Sequence, residues 1–251
     1  MTVRAIVLAA GFGTRMGAIG RSCPKGLFDI GNGKLMDPIL DDLDRCPLVE
    51  EIVLVTNSTY ADQYDDWLLA RDPDTEWRLI DNGVSEPEQR LGATGDLKLA
   101  LDEIGPGPAL VLGSDNLYTF RVTDVIDAME AREASAVAVL EAEAHQELRS
   151  ANCVEIGPDG RITRMEEKPA EPFSRLFVPP VYGYAAEALA LVDEYLSLGG
   201  NPDAPGHFCA WLTGRVPVWA WLPPHGSRLD VGTPEGLAQA RTAASDSDPG
   251  A

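Results

Sequence analysis

An apolar run of strand length, Ala5-Ile6-Val7-Leu8-Ala9-Ala10, empties into Gly11-Phe12-Gly13-Thr14-Arg15-Met16, and this junction limits the fold more than any other stretch of the chain. A strand that ends in two glycines spaced two apart, a hydroxyl and a guanidinium delivers its carboxyl end to an anion. Gly11 and Gly13 let the backbone turn tightly and bring its N–H groups against a phosphate, because no Cβ stands in the way. Arg15 can fork onto phosphate oxygens, and Lys25, in Pro24-Lys25-Gly26, adds a mobile point charge. Two familiar nucleotide loops do not fit. The dinucleotide fingerprint needs Gly-x-Gly-x-x-Gly running straight into a helix with an acid further on, and a Walker loop needs a closing Gly-Lys-Ser/Thr. What remains is a long basic loop, through Arg21 to Pro24, of a size to wrap a nucleoside triphosphate.

Beyond the loop the chain alternates. Leu35 to Cys46 has helical spacing, Glu51 to Thr56 reads as a buried parallel strand, Tyr60, Tyr64, Trp67 and Leu68 recur at helical intervals, and Trp77 to Asn82 is a further strand. The aromatic Trp67 reads as core rather than as a platform for a base. This order predicts an α/β fold with a doubly wound, mostly parallel sheet. Pro108 to Asn116 is a nearly continuous apolar strand that places Asp115 at the same sheet edge as the glycine loop. A carboxylate there suits a hard divalent cation, or serves as a turn or N-cap aspartate.

In the second half, Val122 to Ala134 is helical and Ala136 to Leu140 is a strand. Cys153–Ile156 and Arg161–Met165 flank Gly157-Pro158-Asp159-Gly160, a hairpin turn. With Val181–Tyr184 these predict a small substrate-facing β-rich layer. Glu187 to Leu198 reads as a helix, the glycine- and proline-rich loop 199–206 as a border of an acceptor pocket, and Val216–Trp221 as a strand. Thr233 is placed to cap a helix with Pro234 at its first position. One domain is expected over residues 1–244, with a nucleotide-binding half near 1–120 and a second half near 121–244. Residues 245–251 read as a disordered acidic tail.

The 251 residues carry a formal net charge of −20, which argues against nucleic acid or an anionic membrane surface as partner. No apolar run approaches membrane-spanning length and no signal peptide is apparent, so a cytoplasmic location is expected. Cys23, Cys46, Cys153 and Cys209 are too scattered for a metal motif and read as reduced thiols, with Cys23 a candidate reactive group through its place in the loop. His145, His207 and His225 are scattered as well, so neither zinc nor haem is implied.

Taken together, Leu8-Ala9-Ala10-Gly11-Phe12-Gly13-Thr14-Arg15 with Pro24-Lys25, then Gly113-Ser114-Asp115-Asn116, Glu166-Glu167-Lys168-Pro169 and Asp230-Val231-Gly232-Thr233-Pro234, resemble the motifs of the sugar-1-phosphate nucleotidyltransferases. These are the NDP-sugar pyrophosphorylases, glucose-1-phosphate thymidylyltransferases among them. The resemblance implies a Rossmann-like fold and a Mg²⁺-dependent transfer of a nucleotidyl group from an NTP to a sugar 1-phosphate, with pyrophosphate as the other product. It further implies a nucleotide site of Leu8, Ala10, Gly11, Gly13, Thr14, Arg15 and Lys25, with Asn82 or Gly83 and Gly92 beside the base and Thr94 near the nucleotide. The sugar-phosphate site would draw on Asn116, on Glu167 as a clamp on hydroxyls, on Lys168 at the phosphate, and on Tyr182 as an apolar wall with a polar handle. Asp115 and Asp230 would hold the metal, and Arg15, Lys25, Asp115 and Lys168 would be the catalytic set.

Without the resemblance, Glu166-Glu167-Lys168 is a solvated charge run. The stretch before Gly92 departs from the glutamine and Pro-x-Gly-Leu of the thymidylyl enzymes, so the base stays open, as does assembly into a homo-oligomer. Two other readings stand beside this one: transfer to a non-sugar phosphate such as a cyclitol phosphate, phosphocholine or a phosphonate, and a non-catalytic nucleotide-binding regulatory protein. The presence of Lys25, Asp115 and Asp230 weighs against the second.

Overall fold

The structure, a computed structural model, describes residues 1–143 and 148–246. β1 (Val3–Leu8) is built of residues that favour a pleated, doubly covered surface, and it is buried on both faces. Val3, Ala5 and Val7 enter one core and Ile6 the other, the period of two a strand imposes. α1 (Ala18–Ser22) follows the glycine loop, then α2 (Asp37–Asp44), β2 (Val49–Thr56), α3 (Ala61–Arg71), β3 (Trp77–Asp81), α4 (Ala93–Ile104) and β4 (Ala109–Gly113). β1 pairs in parallel with β2 on one side and β4 on the other, so that Ile6 lies between Val53 and Val111. α2 and α3 supply Ile39, Leu40, Leu43, Tyr64, Trp67 and Leu68 to the first core, and α4 supplies Leu97 and Ala100 to the second. Trp67 is a core residue, its Nε1 donating to Asp37 Oδ1 at 3.0 Å.

The chain continues through β5 (Asn116–Tyr118), α5 (Asp124–Arg132), β6 (Ser135–Ala138), β7 (Leu140–Glu141), β8 (Asn152–Ile156), β9 (Ile162–Glu167), β10 (Leu176–Val178) and β11 (Val181–Tyr184). It ends with α6 (Ala186–Leu189), α7 (Val192–Ser197), α8 (Pro205–Leu212), β12 (Val218–Trp221), β13 (Arg228–Asp230) and α9 (Pro234–Asp246). The main sheet has the order β12-β6-β11-β4-β1-β2-β3, mostly parallel, with β11 running against both neighbours. A four-stranded antiparallel sheet, β7-β10-β8-β9, and a two-stranded ribbon, β13-β5, stand beside it. This is the expected Rossmann-like sheet with a smaller β-rich layer, except that Val181–Tyr184, expected in that layer, is β11 of the main sheet, paired between β6 and β4.

Three local expectations change. The stretch before Pro24 is not all loop, because residues 18–22 form a single helical turn. The helix expected over 187–198 is two short ones, since Leu191 N donates to Ala188 O and tightens the first to an end. α9 runs to Asp246, so the expected tail is helical where it is described, and residues 247–251 and His145 lie outside the described residues. Thr233 caps α9 as expected, its Oγ1 accepting from Gly236 N at 3.2 Å with Pro234 first in the helix. Among the described residues no helix is long and apolar enough to cross a membrane.

One contact ties the two halves together at the sheet edge. Gly92, just before α4, has φ +81°, and a Cβ on it would fall 2.5 Å from Pro202 O. The next turn of backbone bonds to the same place, with Thr94 N donating to Pro202 O at 2.8 Å. The 199–206 loop is therefore seated on the start of α4 by a close approach that only glycine permits. Gly92→Ala is expected to destabilise the protein by about 2–4 kcal/mol, from left-handed strain and backbone crowding together. The urea midpoint checks this, and an unchanged midpoint would show that the loop yields instead.

Candidate active site

The glycine loop leaves β1 and is held from beneath. Asn57, fully buried after β2, donates from Nδ2 to Ala10 O at 2.9 Å, and the Tyr60 hydroxyl sits between the carbonyls of Gly20 and Phe12. Gly13 has φ +60° and packs on α1 so closely that a Cβ on Gly20 would lie 2.3 Å from Gly13 O. Among the described residues the N–H groups of Gly11, Phe12 and Gly13 donate no hydrogen bond. Free N–H groups at a strand end are of the kind that can receive an anion. Beside them, Lys25 Nζ meets Asp115 Oδ2 at 2.7 Å, both side chains partly buried. The glycine loop and the end of β4 thus share one edge, as the sheet rule requires.

Two clefts meet at Asp115. The smaller, about 250 Å³, is lined by Leu8 to Gly11, Lys25, Gly92, Ala93, Asp96 and the end of β4. The larger, about 590 Å³, is lined by Arg15, Asn116, Asn152, Glu167, Lys168, Tyr182, Arg228 and Asp230. Asp115, Pro180, Asp203 and Pro205 belong to both walls. Asp230 reaches the larger cleft because β13 pairs with β5, setting Asp230 opposite Asn116, and Val231 N donates to Asp115 O at 2.9 Å. Asp230 Oδ1 accepts from Gly232 N at 2.7 Å, and a Cβ on Gly232 would lie 2.9 Å from Arg15 Nη2. Arg15 is therefore placed against the Asp230 turn.

Among the described residues no group of three or more His, Cys, Asp or Glu side chains gathers to hold a metal. Asp115 and Asp230 are a hard oxygen pair, the donor type a divalent cation takes together with phosphate oxygens. A hollow of about 690 Å³ beside α2 is a weaker candidate site. Its arginines are already matched, Arg45 and Arg71 with Asp41, and Arg121 with Asp42.

Several residues fall elsewhere than expected. Thr94 is fully buried and faces the 202–204 backbone rather than either cleft, because α4 turns it under the loop. Gly13 and Thr14 shape the turn without lining the clefts. Asn116 does line the larger cleft, but both ends of its amide are engaged. Nδ2 donates to Asp115 Oδ1 at 2.9 Å and Oδ1 accepts from Arg228 Nη1 at 3.0 Å, so Asn116 orients the carboxylate. Tyr182 is 1% exposed, and its hydroxyl accepts from Asn152 Nδ2 at 3.0 Å.

The run at 166–168 is not one solvated patch. The Glu167 side chain is 6% exposed and ion-paired to Lys168 at 3.4 Å, whereas Glu166 stays in solvent. Cys23 is not an activated thiol, since burial raises its pKa more than Lys34 lowers it.

Sequence reasoning missed Asn57, Asn152, Arg228 and, above all, Asp96. An acid in a helix's first turn reads as a solvated dipole partner. Asp96 is instead 6% exposed beside Leu97 in the apolar stripe, with Oδ1 accepting from Asn82 Nδ2 at 2.7 Å. Burial pushes its carboxyl up to about 6 against that hydrogen bond. The available signal was the acid's place between buried helix positions.

The chain matches the Nucleotidyl transferase family over residues 4–247. It is similar to the UTP–glucose-1-phosphate uridylyltransferase AglF of Haloferax volcanii, 28% identical over 72% of each chain. It is also similar to a glucose-1-phosphate thymidylyltransferase of Actinoplanes sp., 29% identical over 92% of this chain and 74% of that one. A crystal structure of a UDP-glucose pyrophosphorylase complexed with UDP-glucose has the same fold, with a TM-score of 0.81 and 21% identity over 99% of this chain and all of the other. The chain belongs to the nucleotidyl transferase family and is an enzyme of that class.

Asp96 yields a stability prediction. Its folded pKa lies above the unfolded value of 3.8, so the fold binds that proton more tightly, and stability is lost as pH rises through the window between the two values. Asp96→Asn is expected to stabilise the protein by about 3 kcal/mol at pH 8, with the gain falling to about half by pH 5. Urea unfolding of both proteins across that range checks it. A variant no more stable than wild type at pH 8 would contradict the burial argument.

Proposed function

We propose, from the premise that this chain is a nucleotidyltransferase, that it transfers a nucleotidyl group from an NTP to a sugar 1-phosphate, releasing pyrophosphate and an NDP-sugar. The observation that carries this reading is the meeting of two clefts along Asp115, Pro180, Asp203 and Pro205, one walled by the glycine loop and the other by buried hydrogen-bonding side chains. The acceptor phosphate is already a nucleophile, so no activated serine, cysteine or histidine is required. One of its oxygens bonds to the α-phosphorus in line as the bond from that phosphorus to the β-phosphate bridging oxygen breaks, and the electron pair leaves with pyrophosphate. Most of the rate then comes from orientation and charge neutralisation.

The free N–H groups of Gly11 to Gly13 and the ammonium of Lys25 receive the triphosphate, while Arg15, beside the Asp230 turn, reaches the charge that develops between the substrates. Asp115 and Asp230 would hold Mg²⁺, which when bound neutralises phosphate oxygens and favours the leaving pyrophosphate. Lys25, now paired with Asp115, must then turn its ammonium to the phosphates. Glu167, 6% exposed in the lining of the larger cleft, accepts hydrogen bonds from acceptor hydroxyls, and Lys168 meets the acceptor phosphate. Hydroxyl recognition of this kind favours a sugar over phosphocholine, which has none to donate.

Pyrophosphate release from five NTPs against a panel of sugar 1-phosphates tests the reaction, with phosphocholine as the contrasting acceptor. EDTA is expected to abolish turnover, and Asp115→Asn or Asp230→Asn to lower kcat by more than about 100-fold. Lys25→Ala should raise the barrier with the triphosphate by roughly 2–4 kcal/mol, and Lys168→Ala should weaken use of the acceptor by a similar amount. Kinetics varying each substrate in turn separate the two. Full turnover by Asp115→Asn, or a wild-type preference for phosphocholine, would overturn the assignment.

A further inference from the structure

Asp96 is an acid kept buried in a cleft wall at a cost in stability, and neither the glycine loop nor the metal carboxylates need it. It lies in the first turn of α4, at the part of the smaller cleft formed by Gly92 and Ala93. Its Oδ1 is held by Asn82, at the end of β3, and Asn82 is itself fixed by Val84 N donating to its Oδ1 at 3.0 Å. The Asn82 amide has a second N–H, and the described contacts give it no acceptor. They give Asp96 Oδ2 no donor either, and that oxygen is not among the buried polar atoms left without a partner. Asp96 thus offers a carboxylate oxygen on the cleft wall, and the Asn82 amide, which does not itself line the cleft, is bonded to the same carboxylate, an acceptor next to a donor. Lys25 and Asp115 line the same cleft and belong to its phosphate end, so a nucleotide with its phosphates there extends its base toward Gly92 and Asp96.

We infer that Asp96 and Asn82 form the base-reading pair of this enzyme and select nucleobases that present a ring N–H flanked by a carbonyl, namely guanine, uracil or thymine. The inference rests on the nucleotide occupying the smaller cleft, as proposed above. An ionised carboxylate only accepts. It pairs with the N1–H of guanine or the N3–H of uracil and thymine, while the Asn82 N–H donates to the neighbouring carbonyl. Adenine and cytosine carry a lone pair on the corresponding ring nitrogen and would set acceptor against acceptor, leaving desolvated groups unpaired. A ribose diol, which offers two donors, matches a bare carboxylate better than this donor–acceptor pair.

Equilibrium binding of ATP, CTP, GTP, UTP and dTTP to the full-length enzyme tests this without any acceptor present. Wild type is expected to bind the three ring-N–H nucleotides at least about tenfold more tightly than ATP or CTP. Asp96→Asn, whose amide can donate as well as accept, should shrink that gap to less than about threefold. Asn82→Leu, which keeps the carboxylate but removes the adjacent donor, should shrink it in part, and Lys25→Ala should weaken all five alike. Tightest binding of ATP or CTP, an Asp96→Asn protein that keeps the wild-type ranking, or one that loses affinity equally for all five, as a ribose contact would, overturns the inference. Base-selective binding without turnover of any sugar 1-phosphate would sustain the base-reading pair and remove the acceptor reading instead. Binding of none of the five would remove both.

Discussion

The arrangement depends on β1 being clamped in parallel between β2 and β4. Leu8 is in register with Val55 on one side and Gly113 on the other, so two chain ends emerge together at one sheet edge. One carries the glycine loop and Lys25, the other Asp115. Parallel strands cannot be joined by a tight turn, so the connections leave on helices, and the gap between departing loops becomes a place for a ligand. Everything chemical in the molecule is an elaboration of that gap. Asn57 and Tyr60 brace it from below, α4 walls one side, and the β5/β13 ribbon brings Asp230 to the other.

A chain with a net charge of −20 must concentrate positive potential locally to receive a polyanion. It does so with few cations. Lys25 is stored against Asp115, Arg15 against the Asp230 turn, and Arg228 against the Asn116 amide. Each carboxylate of the site is thereby paired or hydrogen-bonded in the absence of ligand, which limits the repulsion between Asp115 and Asp230. The arrangement exchanges internal partners for phosphate oxygens instead of creating new charge.

Much of this was legible from residues alone, for a physical reason. The β1 and β4 strands are doubly buried, so their apolar runs are unbroken, and glycines cluster where backbone must approach closely. The hairpin around Pro158 and the cap at Thr233 were readable because turn and cap chemistry is local. Asp96 was missed because an acid in a helix's first turn reads as a dipole partner, although its place among the buried positions of α4 carried the signal. Glu167 and Asn116 were found only through motif resemblance. A charge run does not say which member is buried, and an asparagine beside an aspartate does not say which of them faces substrate. Thr94, which the resemblance set near the nucleotide, is instead buried against the docked 199–206 loop.

The pairing of β13 with β5 also has a temporal meaning. Residues 3–221 supply every strand of the seven-stranded sheet, yet Asp230 is added by a ribbon that joins afterwards to a partner more than a hundred residues back in the chain. A nascent polypeptide emerging from the ribosome can therefore hold every strand of its main sheet while still lacking Asp230, one of the two carboxylates proposed for the site. Asp230 is thus added after the main sheet is complete, so a chain halted at residue 221 is a full set of main-sheet strands without the second carboxylate proposed for the site.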